Sequence, residues 1–113
     1  MEKDNVYIAH ILDAIGAIED YTKELTLELF IKPENRMVQD ATIRELQVIG
    51  EAAKKLSEGL KSKNPTLPWR EIAGMRDKLT HDYFGIDKKV VWFTVEKDLP
   101  VLKKAMKKLG ASD

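Results

Sequence analysis

Apolar residues fall three and four positions apart along nearly the whole chain, and no stretch alternates apolar with polar as a half-buried strand would. That period fixes the class of fold before anything else is read. In the first segment it runs through Ile8, Ile11, Ile15, Ile18 and Leu25, which predicts an amphipathic helix over residues 4–24 with Asp4 as its N-cap. A short helical piece over residues 25–30 follows, closed off at Lys32 and Pro33. A second long helix is predicted over residues 34–61, with the stripe Val38, Thr42, Leu46, Ile49, Ala53, Leu56 and Leu60. Gly50, Ala52 and Ala53 make its middle slim enough for close approach by another helix.

Residues 63–68 form the clearest loop, and Pro68 is pre-set for the first turn of a helix. A third helix is predicted from Trp69 to Phe84, ending at Gly85, a suitable C-terminal cap. Asp87 can cap a fourth helix over residues 88–97, and Pro100 is expected to break or restart it before a last helix to Leu109. The expectation is an all-α fold: one domain over residues 1–113, an up-and-down four-helix bundle with one short additional helix.

Composition narrows what such a bundle can do. A chain of 113 residues can bury a core without staples, and the absence of cysteine removes disulfides and thiolate metal sites. No apolar run approaches the roughly 20 residues needed to cross a bilayer, and Met1 to Asn5 do not begin a signal peptide. A cytoplasmic protein with no membrane partner is therefore expected. Nineteen acidic residues balance nineteen basic ones, so the overall basic excess usual in a nucleic-acid binder is missing. Lys103, Lys104, Lys107 and Lys108 do crowd the last helix, where they suit the helix dipole and solubility before they suggest a phosphate-attracting edge.

Chemistry concentrates in one place. Arg76-Asp77-Lys78-Leu79-Thr80-His81-Asp82-Tyr83 brings a fixed cation, a titratable base and a phenol within about two helical turns. On an ideal helix Arg76 and Tyr83 lie about 20° apart and about 10 Å along the axis, whereas His81 sits about 140° from Arg76. Spacing alone does not bring Arg76 and His81 together. A distorted helix end, or a second copy of the chain across a symmetric interface, would. Asp77, four residues before His81, can orient the imidazole and raise its pKa, although the same pair also reads as a surface ion pair. Glu51, set among small residues on an inward-packing helix, would need a partner if part-buried, and Arg76 is one candidate. His10 lies off the main stripe and reads as a surface or boundary residue. Two distant histidines do not make a metal motif, and no glycine-rich loop could cradle a nucleotide phosphate, so neither metal nor cofactor is expected.

Arg76, four residues, His81, one residue and Tyr83 resemble the signature of the HepT-type toxins of the HEPN superfamily. The resemblance extends through Tyr21-Thr22, Ile49-Gly50-Glu51-Ala52, the run from Pro68 to Arg76, Tyr83-Phe84-Gly85-Ile86-Asp87, Val91-Trp92 and Asp98-Leu99-Pro100. It implies a helical bundle that forms a homodimer around a shared cleft and acts as a metal-independent endoribonuclease toxin of a type VII toxin–antitoxin pair. His81 would be the general base and acid, Arg76 would stabilise charge on the phosphate, and the substrate's own 2′-hydroxyl would be the nucleophile. Asp77 stands where such proteins often carry Asn. The implied partner is an MntA-like nucleotidyltransferase antitoxin that uses ATP to AMPylate Tyr83, blocking the cleft. Two other readings of such a bundle are a non-catalytic nucleotide-binding adaptor subunit and a structural dimer that has lost activity.

Overall fold

The computed structural model describes residues 2–74 and 87–111, and every regular element among them is helical. Helix α1 (Glu2–Thr22) and helix α3 (Arg36–Lys54) form the long packed pair. Helix α2 (Leu27–Phe30) and a 3-10 turn (Pro33–Asn35) join them. Helix α4 (Glu58–Lys63) leads to a turn helix over 69–74, labelled α5 as far as it is described. Helix α6 (Lys88–Phe93), a π turn (Thr94–Asp98) and helix α7 (Leu99–Ala111) complete the chain. Among the described residues no helix is long and apolar enough to cross a membrane.

The predicted stripes form the core. Ile8, Ile11, Ile15 and Ile18 of α1 meet Leu46, Ile49, Ala52 and Ala53 of α3, all buried. Leu99, Leu102, Met106 and Leu109 bring α7 against the same cluster. Phe30, wholly buried, seats the short α2 against α6 through the Trp92 ring, their centroids 5.3 Å apart. Burying rings of this size contributes about 1.5–3 kcal/mol each, enough to hold a helix too short to persist alone.

The link between α1 and α3 is satisfied by side chains. Thr22 Oγ1 donates to the Ile18 carbonyl at the end of α1, and Thr26 caps α2 by accepting from the Leu29 N–H. Helix α2 then leaves orphan carbonyls at its C-terminal end. Asn35 Nδ2 donates to Leu29 O at 2.6 Å, and buried Gln39 Nε2 donates to Phe30 O and Lys32 O at 2.6 and 2.9 Å.

Two interruptions differ from the sequence reading. The second helix does not run to residue 61: α3 ends at Lys54, and Ser57 starts α4 by accepting from the Leu60 N–H. The partner that fixes this break is Asp4. It is not the N-cap of α1 but lies within its first turn, buried, with Oδ1 accepting from the Ser57 N–H at 2.8 Å and Oδ2 from the Ser57 hydroxyl at 2.7 Å. Conversely, Pro100 does not break the chain's last helical run. Leu99 N–H bonds to Thr94 O, five residues back, so a wide turn precedes the proline and the backbone stays helical from Lys88 to Ala111.

Candidate functional site

Of the residues expected to carry chemistry, Arg76, Asp77, His81 and Tyr83 lie outside the described residues, as do the end of the third predicted helix and its Gly85 cap. The chain on either side is well anchored. Upstream, Trp69 Nε1 donates to Asn64 O at 2.9 Å, the Ile72 N–H bonds to Pro68 O, and Ile72 is buried. Downstream, Asp87 caps α6 as expected, its carboxylate accepting from the Lys89 N–H at 2.9 Å.

Glu51 is described. It is half-buried, as its small neighbours suggested, and lines an open groove of about 400 Å³ between α1 and α3. The other described walls are Tyr7 and His10 from α1, Arg44, Gln47, Val48 and Ala52 from α3, and Lys55, which caps the C-terminal end of α3. The α3 contribution follows from helical spacing. Arg44, Val48, Glu51 and Lys55 are separated by four, three and four residues, so they share one face, with Arg44 and Lys55 about 16 Å apart along the axis. Tyr7 and His10, three apart on α1, pack edge to face with centroids 6.1 Å apart. Lys55 Nζ stands 5.8 Å from the centre of the Tyr7 ring, within cation–π range, and links the two helices at one end of the groove.

His10 is exposed, as expected of a surface residue, yet it is not isolated: it forms a wall beside Tyr7. Sequence reasoning passed over this set because each helix supplies only part of it. The legible signal was the repeat of polar residues at 44, 47, 51 and 55 beside the apolar stripe of α3.

The basic C-terminal segment is less uniform than its composition. Lys103 is half-buried and Nζ meets both oxygens of Glu19 at 3.0 Å, tying α7 to α1. An ion pair this exposed contributes less than about 1 kcal/mol.

Comparison with known proteins gives the all-helical domain a family. The ribonuclease HepT-like family matches residues 11–109. A protein of Thermococcus cleftensis described as a probable ribonuclease HepT is 46% identical over 103 residues, covering 91% of this chain and 92% of that one. A protein of Caldanaerobacter subterraneus described as a candidate RNase is 38% identical over 109 residues, covering 96% of each chain. A longer Methanocaldococcus jannaschii protein, described as a gamma-glutamylcyclotransferase and candidate RNase, is 43% identical over 110 residues, covering 96% of this chain and 49% of that one. No solved structure matches the chain with significance. The chain belongs to the ribonuclease HepT-like family.

Proposed function

We propose that this protein is a metal-independent endoribonuclease whose reacting groups are His81 and Arg76. The observation that carries the reading is the ordered set Arg76, His81 and Tyr83 within a chain that matches the family from residue 11 to residue 109. Neutral His81 takes the proton of a ribose 2′-hydroxyl, the freed oxygen attacks the adjacent phosphorus, and the bond to the 5′-oxygen breaks. The protonated imidazole returns the proton to that leaving oxygen, so the products are a 2′,3′-cyclic phosphate and a 5′-hydroxyl. Arg76 opposes the charge that builds on the phosphate oxygens, and because the nucleophile comes from the substrate no cofactor is needed. Asp77 orients His81, and Glu51 helps to hold Arg76.

The same reading makes the protein the toxin of a toxin–antitoxin pair acting in the cytoplasm. A partner nucleotidyltransferase moves AMP from ATP to the Tyr83 oxygen with loss of pyrophosphate. The adduct occupies the phosphate position beside Arg76. The active form is a homodimer of four-helix bundles in which two sets of residues share a cleft. Exposed Val90, Phe93 and Val101, on α6, the end of α6 and α7, offer apolar area consistent with such an interface.

The deciding experiment is RNA cleavage in EDTA with end-group analysis. The expected result is cyclic phosphate ends and loss of cleavage by at least about a hundredfold in His81→Ala. Full cleavage by His81→Ala would remove the assignment. Mass spectrometry after incubation with the partner and ATP should place one AMP on Tyr83; an adduct found only elsewhere would reject that control point.

A further inference from the structure

Apart from Glu51, the described walls of the groove between α1 and α3 have no role in the chemistry just described, yet their composition is particular. Two cations stand near its ends, Arg44 and Lys55, on one face of α3 and about 16 Å apart. Between them and across from them lie two rings, Tyr7 and His10, the amide of Gln47 and the carboxylate of Glu51. Among the described walls only Val48 and Ala52 are aliphatic, which suits an apolar ligand poorly. A compact anion would meet Glu51 in the middle. A polymer that carries negative charges at intervals and flat rings between them matches every part.

We propose that this groove is a subsite for single-stranded RNA, built from residues other than His81 and Arg76. Arg44 and Lys55 each hold a backbone phosphate, and the spacing between them leaves room for a few nucleotides. A base stacks against one of the two rings, Tyr7 or His10, which stand edge to face, a contact every base can make because each has a π face. Lys55, already over the Tyr7 ring, fixes that ring and adds its charge where the backbone passes. Gln47 faces the base edge, where an amide both donates and accepts. The neutral overall charge of the chain is compatible with this arrangement, because two placed cations at the groove ends do not require a basic excess. The identity of the ligand as RNA rests on the ribonuclease reading; the geometry of the groove does not.

The test uses the full-length protein and a short, unstructured, fluorescein-labelled 2′-O-methyl oligoribonucleotide, which the proposed reaction cannot cut. Binding is followed by anisotropy across a salt series. Tyr7→Leu is expected to weaken binding roughly tenfold, while Tyr7→Phe, which keeps the ring, restores it. Arg44→Gln with Lys55→Gln is expected to reduce the slope of log affinity against log salt by about 1.4, two phosphates at about 0.7 each. Circular dichroism of each variant confirms that the helices remain. Affinity and salt slope equal to the parent in all three folded variants would overturn the proposal. Weakened binding alongside His81-independent cleavage would leave the groove standing and remove the His81 assignment; His81-dependent cleavage with unchanged binding would do the reverse.

Discussion

Two places in this chain threaten a helix, and they have opposite outcomes. At residues 55–57 an ordinary sequence with no proline and no glycine ends α3 and starts α4. At Pro100, a residue that removes a backbone donor and crowds the preceding turn, the helical run continues. The difference lies in what each site gives the backbone instead. Ser57 receives a buried carboxylate from α1, which accepts from its N–H and its hydroxyl, while the hydroxyl oxygen accepts from Leu60 N–H. The break therefore has its own hydrogen-bond partners. Ahead of Pro100 the chain widens into a π turn, which gives the proline ring room, and Leu99 N–H reaches Thr94 O. Val91 and Trp92 before the turn and Leu99 and Leu102 after it all stay in the core. Breaks are set by partners as much as by residue type.

The largest test of this contrast is Asp4→Ala. It removes both acceptors from Ser57 and should destabilise the fold by about 2–3 kcal/mol in urea denaturation, since a part-buried N–H is left without a partner. A loss under about 0.5 kcal/mol would mean that the break forms without its latch. Ser57→Ala keeps the backbone bond and loses the hydroxyl's two, so about 1–2 kcal/mol is expected by the same measurement.

Acid should expose the latch as well. Burial pushes the Asp4 carboxyl up, but the hydrogen bonds from the Ser57 hydroxyl and N–H, with the positive charge of Lys61, hold it below its ordinary value. A carboxyl depressed on folding adds stability above its unfolded pKa of about 3.9 and loses it as pH falls through the folded value. Wild type should thus exceed Asp4→Asn in stability by a constant margin near pH 7, and the margin should shrink below about pH 4. A margin that persists unchanged to pH 2 would show that charge is not what Ser57 recognises. The smallest effect is expected from Pro100→Ala, within about 0.5 kcal/mol, because the exposed proline sits in a helix already adapted to it. A loss as large as that of Asp4→Ala would reverse the comparison.

Much of the fold could be read in advance. The stripes through Ile8, Ile11, Ile15 and Ile18 and through Leu46, Ile49 and Ala53 are buried as their spacing required, and Asp87 caps its short helix by local chemistry. Candidate site residues divide along the same line. Arg76, His81 and Tyr83 stand out in the sequence because they lie together in it, and they fall outside the described residues; Glu51 stands out by its small neighbours. The groove was not, because Tyr7 and His10 reach Arg44 and Lys55 only when α1 packs on α3.

The sequence by itself determined the helical class, the apolar faces and the residue types available for chemistry, because helix period and side-chain character act over a few neighbours. Tertiary structure alone decided that Asp4 serves Ser57, 53 residues away, instead of its own helix. It likewise decided that Lys55 covers Tyr7 and that Pro100 is absorbed by a wide turn. Each of these depends on two surfaces being brought into register, and register follows from how the whole core packs.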